Sequence, residues 1–313
     1  MNADRRGLAC RPLGRTGINV TELGLGGAPL SGRFGDVPVA RVYEVLDTAL
    51  ETGIGLVDTA ARYAEGRAES DIGGYFAKSG WGSVVISTKV VPHTAGPGAV
   101  RAGVEASMSR LGRTHLEIVL LHDPYGLPAP EIAANIQALQ DLQAEGLIGA
   151  VGVGIGDVPT LEHAVADLGV DCVLLSARYT LLDQTAAGGL LPLCRERGAG
   201  VILGSVFNSG ILATGDRPGA RFHYDQHVPA DVLDRVRRAQ RSCDRHGVVL
   251  AAAALQFALA HPAVSSVLIG TTEPRHLARN VAVATTPIPA AFWADLVADG
   301  VLPGDAIIPG DAG

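Results

Sequence analysis

Cysteine is scarce in this chain of 313 residues, and its four copies, Cys10, Cys172, Cys194 and Cys243, stand far apart. No two form a C-x-x-C pair, which excludes a zinc ribbon or a thioredoxin-like motif. Four scattered thiols in a large chain fit a reducing cytosol rather than a disulfide scaffold. Basic residues are also short: 25 Lys and Arg face 32 Asp and Glu, for a formal net charge of −7, with no basic run. That argues against a nucleic-acid footprint. The longest apolar run, VVLAAAALQFALA from Val248, breaks at His261-Pro262 and is too short to span a bilayer. The opening MNADRRGLAC has no apolar core of a secretory signal. We therefore expect a cytoplasmic protein with a small-molecule substrate and neither a membrane nor a nucleic-acid partner; the sequence does not speak to its oligomeric state. Aromatics are few, at six Phe, six Tyr and two Trp. A pocket poor in them suits a polar substrate such as a sugar better than a steroid.

What the chain does have is enough apolar residue, 47%, against 18% charged, to build a large core. Short apolar runs near Leu23–Gly27, Gly55–Asp58, Val84–Thr88, Ile118–His122, Ala150–Gly154, Cys172–Leu175, Gly200–Gly204 and Ser266–Ile269 read as eight strands. Between them, 39–52, 100–111, 131–145 and 230–246 carry apolar residues at helical spacing, with Gly53, Gly112 and Gly146 just past three of these ends. A strand roughly every 30 residues indicates βα units and a parallel sheet. Eight units predict a (β/α)8 TIM barrel forming one domain over residues 1–313. A doubly wound sheet is the rival. Its G-x-G-x-x-G marker is absent after the first strand, where GLGGAP stands, and the later G-x-G-x-G run ends in Asp157. RPLGRTGINV reads as an N-terminal β-hairpin turning at Gly14 to Gly17, PAAFWADLVADG as an extra C-terminal helix, and Ser205 to Pro229 as a long functional loop.

In such a barrel the C-terminal ends of all strands meet on one face. The second strand ends at Asp58, the third at Lys89, the fourth at His122, and Tyr63 lies five residues past Asp58. Singly, each has a bland explanation: a helix cap, a solvated amine, a structural imidazole, a packed ring. Their joint placement is the signal. A phenol with a pKa of about 10 is a poor acid-base group at neutral pH, and a buried cation beside it favours the phenolate. Lys89 would serve, Asp58 would be its counter-ion, and His122 could aim a nitrogen at a substrate oxygen. The chain lacks the paired carboxylates of a glycosidase and the nucleophile elbow of a serine hydrolase. Asp58, His122 and Asp123 could in principle ligate a metal, but no H-x-H or H-E-x-x-H spacing supports this, and no metal is expected.

D-T-A-x-x-Y at Asp58 to Tyr63, S-T-K ending at Lys89, and L-L-H-D at His122, in this order, resemble the aldo-keto reductases. The resemblance runs from RPLGRTGINVTELGLGG to HLARNV. It implies a (β/α)8 barrel that binds an extended nicotinamide dinucleotide, NAD or NADP, without a Rossmann fold. It also implies Tyr63 as general acid-base, Lys89 as the group that lowers its pKa, Asp58 as the partner of Lys89, and His122 as the residue that orients substrate. By the same resemblance Tyr179 would stack on the nicotinamide. The SVFNSGIL loop, with Ser205, Phe207, Gly210 and Leu212, would wrap the pyrophosphate, although Val206 and Phe207 depart from the family's S-P-L. Gly270, Thr271, Arg275 and Asn280 would hold the adenosine end. Gly154 and Ile155 replace the family's Ser-Asn, and Ser176 is the candidate compensation. Gly270 and His276 stand where a Lys and an Arg would meet a 2′-phosphate, which favours NAD, although Arg275 is one residue away.

ARYTLLDQ, LPLCRERGAGVILGSVFNSGILA and the short C-terminus resemble the aldose 1-dehydrogenase branch, with L-fucose, D-threo-aldose and pyridoxal 4-dehydrogenases. That branch implies oxidation of a cyclic hemiacetal at C1. An NADPH-dependent aldehyde or ketone reductase is the alternative within the chemistry. A non-catalytic nicotinamide-binding regulatory subunit and a metal-dependent hydrolase are the alternatives outside it. Phe34, His93, Tyr125 and Phe207 are candidates for the substrate pocket.

Overall fold

The computed structural model describes residues 8–32, 35–223 and 227–310. Two short strands, β1 (Cys10–Pro12) and β2 (Asn19–Thr21), pair antiparallel as the expected hairpin. There follow β3 (Leu23–Gly26), α1 (Val39–Glu51), β4 (Leu56–Asp58), α2 (Arg67–Ser79), β5 (Val85–Val90), α3 (Pro97–Leu111), β6 (Leu116–His122), α4 (Ala129–Ala144), β7 (Ile148–Ile155) and α5 (Val158–Ala166). The chain continues through β8 (Cys172–Ser176), α6 (Leu190–Arg197), β9 (Gly200–Gly204), α7 (Ile211–Thr214), α8 (Ala230–His246), α9 (Leu250–Ala260), β10 (Val264–Ile269), α10 (Pro274–Ala284) and α11 (Ala290–Ala298). Strands β3 to β10 pair in parallel, each with the next, and β10 closes on β3. This is the (β/α)8 barrel with an N-terminal hairpin and a C-terminal helix.

Strands covered on both faces are apolar throughout, yet their two faces separate cleanly. Leu56, Ile118, Leu120, Ala150, Cys172, Leu174, Ile202 and Leu268 fill the barrel interior. Their neighbours Val57, Val119, Leu121, Val151, Val173, Val201 and Val267 pack outward under the helices. The period of two thus decides which residue reaches the mouth. Asp58 shares the parity of Leu56, His122 that of Ile118 and Leu120, and Ser176 that of Cys172 and Leu174. At the other end Leu13 and Val20 of the hairpin region join the interior cluster and seal it. The seal requires glycine at 200, because a Cβ there would lie 2.5 Å from Leu13 Cδ1.

The segment after β9 is more ordered than a plain loop. It holds a 3-10 turn at Asn208–Gly210 and the short α7 before the chain runs on to α8. Among the described residues no helix is long and apolar enough to cross a membrane.

Candidate active site

Asp58, Lys89 and His122 emerge side by side at the C-terminal ends of β4, β5 and β6. Tyr63 opens a 3-10 turn, Tyr63–Gly66, between β4 and α2. Lys89 Nζ donates to Asp58 Oδ2 at 2.6 Å and to the Thr59 carbonyl at 2.8 Å, and Ser87 Oγ donates to Asp58 Oδ1 at 2.9 Å. Nζ stands 5.1 Å from the centre of the Tyr63 ring and within hydrogen-bonding reach of its hydroxyl. The Tyr63 and His122 rings meet edge to face with centroids 5.6 Å apart. His122 Nε2 lies 3.6 Å from Asp123 Oδ2.

The lysine and the aspartate are buried. Burial pushes the Asp58 carboxyl above its ordinary value, against the pull of Lys89 and Ser87. Burial would lower Lys89, yet the Asp58 carboxylate and the Tyr63 hydroxyl hold its ammonium above the ordinary value. The lysine is thus kept protonated by its partners, as an ammonium taken out of water requires. A permanent buried cation beside a phenol stabilises the phenolate, so the arrangement can take up and release a proton at the Tyr63 oxygen. Among the described residues no group of three or more His, Cys, Asp and Glu is placed to hold a metal ion.

Two partners in this site are not among the expected site residues. Ser87 shares the inward face of β5 with Lys89, and the spacing of two within S-T-K carried that information. The Thr59 carbonyl left no signal, because any residue type supplies one.

The other expected site residues divide into two groups. Ser176 Oγ donates to Ser205 Oγ at 3.2 Å, which brings the ends of β8 and β9 together. Ser205, Asn208, Ser209 and Gly210 all have positive φ, between 45° and 106°. This contorted backbone is followed by Leu212, fully buried in α7, while Phe207 packs half-buried against the core. Within this loop the Asn208 side chain is buried, and neither its amide nitrogen nor its oxygen has a partner. An unsatisfied buried amide calls for a polar ligand, and a dinucleotide would complete it. The residues present therefore fit such a cofactor. Gly270 and Thr271 follow β10, with Gly270 against Pro29 and Thr271 Oγ1 accepting from the Glu273 amide at 3.0 Å. Asn280 lies on α10. Arg275 is 79% exposed, its Nε 3.8 Å from Glu273 Oε2.

Other residues lie elsewhere. Tyr179 is 2% exposed, stacked on Phe257 of α9 at 5.1 Å and edge-on to His261. Its ring packs between the β8–α6 connection and α9. The His93 backbone amide donates to Asn135 Oδ1 of α4 and its carbonyl accepts from Asn135 Nδ2, and its ring faces Gly103 of α3. It is held in the β5–α3 connection against α3 and α4. Tyr125 is 64% exposed beyond β6, with its hydroxyl beside Gly156 at the end of β7. Phe34 lies outside the described residues. A Cβ at Gly154 would sit 3.5 Å from Lys89 Cδ, so the missing side chain leaves space next to the lysine. Asp157 caps α5, accepting from the Thr160 amide at 3.0 Å.

Residues 22–298 match the Aldo/keto reductase family. Pyridoxal 4-dehydrogenase of Microbacterium luteolum is 33% identical, over 93% of this chain and 97% of its own length. D-threo-aldose 1-dehydrogenase of a Pseudomonas species is 32% identical, over 92% and 96%. An aldo-keto reductase from Bacillus halodurans, solved in its holo form, superposes with a TM-score of 0.80 at 22% identity, covering 93% of this chain and 96% of that one, a likeness of fold. The chain belongs to the aldo/keto reductase family. It is an NAD(P)-dependent oxidoreductase acting on carbonyl and alcohol groups.

Proposed function

We propose that this protein, a single barrel domain over residues 1–313, oxidises the C1 hydroxyl of an aldose or a similar polar small molecule, with NAD as its preferred cofactor. The observation that carries the proposal is the buried Asp58–Lys89 pair at 2.6 Å with the Tyr63 hydroxyl in reach of the same ammonium. The relatives named for aldose and pyridoxal oxidation support the substrate class.

Tyr63, as phenolate, takes the proton of the substrate hydroxyl. Lys89 stabilises that phenolate by charge, and Asp58 keeps Lys89 charged and in place. His122 holds the substrate oxygen near Tyr63. A bound nicotinamide supplies the hydride acceptor. Ser176, Ser205, Asn208, Phe207, Gly210 and Leu212 would hold it past β8 and β9, and Gly270, Thr271, Arg275 and Asn280 past the neighbouring β10. Tyr125 would border the substrate.

The preference for NAD rests on charge. Glu273 stands beside Arg275 and 3.9 Å from Arg41, so the local cations already face a carboxylate. A 2′-phosphate would meet that carboxylate, whereas ribose hydroxyls can donate to it. Glu273→Gln is expected to raise the use of NADP relative to NAD.

The test is absorbance of the reduced nicotinamide with NAD or NADP and a panel of free aldoses, L-fucose included, together with pyridoxal. Cofactor reduction by the aldoses supports the proposal. Silence there, with turnover of aldehydes or ketones by the reduced cofactor, replaces it with a reductase.

A further inference from the structure

Glu69 has no place in the chemistry above, yet its carboxylate is fully buried and fully used. It sits in the first turn of α2, three residues beyond the Tyr63–Gly66 turn. Its Oε1 accepts from Thr88 Oγ1 at 2.5 Å, and its Oε2 accepts from Arg110 Nε at 2.6 Å. Thr88 is the residue before Lys89 and faces outward from β5. Arg110, in the last turn of α3, also bonds Ser107 Oγ at 3.1 Å. One carboxylate therefore ties together α2, the strand that carries Lys89, and α3.

The turn that carries Tyr63 needs such an anchor. Ala64 and Glu65 both adopt left-handed backbone, at φ 50° and 55°. For side-chain-bearing residues this costs on the order of 1 kcal/mol or more each and persists only where the surroundings impose it. The surroundings here are Arg110. Its side chain lies on Gly66, where an added Cβ would come within 2.7 Å of Arg110 Cδ and Nε. About two turns on, Gly73 brings α2 so close to α3 that a Cβ would sit 2.3 Å from the Arg110 carbonyl. The guanidinium thus presses the strained turn from one side while Glu69 fixes the guanidinium from the other.

We propose that Glu69 and Arg110 are positioning residues for Tyr63: their ion pair holds the strained turn so that the phenol stays against the Lys89 ammonium. The inference rests on the reading of Tyr63 as the proton carrier. A carboxylate that served stability alone would anchor α2 equally well, so the distinguishing quantity is the titration of Tyr63 itself. It is read from tyrosinate absorbance as the difference between each protein and its Tyr63→Phe counterpart, with no substrate present.

In Glu69→Gln an acceptor for Thr88 remains, while the charge that orders Arg110 is lost. Arg110 is 28% exposed and stays hydrated. The Tyr63 titration is expected to move up by about one pH unit as the phenol drifts from Lys89. Turnover of the substrate found in the panel should fall about tenfold with NAD affinity unchanged, as for a misplaced catalytic group. Arg110→Lys, which keeps a cation beside the intact Glu69 carboxylate, should instead retain most of the wild-type titration and turnover. A depressed wild-type titration that Glu69→Gln leaves unmoved overturns the positioning role alone. A wild-type Tyr63 that titrates at the ordinary phenol value overturns the reading of Tyr63 and this proposal with it. Should Glu69→Gln not fold, Thr88→Val removes one hydroxyl at nearly constant volume, and the same titration is judged by the same criterion.

Discussion

The two ends of this barrel are built from the same strands and differ in almost everything else. At the closed end the hairpin region inserts Leu13 and Val20 into an apolar interior of Leu56, Ile118, Ala150, Cys172 and Ile202. At the open end the same inward-facing rows finish in Asp58, Lys89 and His122. An interior filled by apolar side chains can stabilise the fold by burial alone. Charges can be placed at one end only because Asp58, Lys89 and Ser87 satisfy one another, and that mutual dependence makes the mouth chemically useful and mechanically costly.

The comparison is broken most sharply at Tyr63. Tyr63→Phe should lower turnover roughly a thousandfold with cofactor affinity and melting temperature unchanged, as steady-state kinetics, a fluorescence titration of NAD and a thermal melt would show. Near-normal turnover would sink the assigned role. Lys89→Met strikes both function and fold, because it leaves Asp58 buried without a partner. A loss of about 3–5 kcal/mol is expected, measured by denaturant unfolding. Adding Asp58→Asn should return most of that stability and none of the turnover, and recovery of both would mean that the pair is structural. At the closed end Leu13→Ala should cost about 2–5 kcal/mol while leaving turnover per folded molecule intact. Loss of turnover there would show that the ends are coupled.

The smallest effect concerns pH. Burial lowers the His261 imidazole to about 4, and its Nδ1 accepts a hydrogen bond from the Ala263 amide, so the folded state holds the ring neutral. The unfolded chain takes up that proton first as pH falls below 6.5, so stability conferred by the neutral ring is present above 6.5 and drains away towards about 4. Thermal melts across this window should show the decline, and His261→Asn, which keeps an acceptor for Ala263, should flatten it. An unaltered slope in that variant would assign the acid sensitivity to other groups.

Much of the fold was legible because strand boundaries carry two signals at once, an apolar run and a following turn. All eight strands lie where the apolar runs do, and Gly53, Gly112 and Gly146 take the positive φ expected past their helices. Helix α9 was hidden as a helix because eight of its eleven residues are buried, so no polar face marks a period. The site divides in the same way. Asp58, Lys89 and His122 were legible as strand-end residues. The packing of Tyr179 on Phe257 and the contact of His93 with Asn135 were not, because each depends on which distant segment arrives beside it.

The sequence by itself determined the barrel, its family and the three polar residues at the strand ends with Tyr63 just beyond the first of them, since periodicity and strand-end position are local properties of the chain. Only the tertiary structure decided that the Thr59 carbonyl completes the ion pair, that Asn208 is left unsatisfied for a ligand, and that Glu69 reaches both Thr88 and Arg110. Those facts are distances between elements far apart in sequence, set when the barrel closes and the helices pack around it, and no local pattern of residues encodes them.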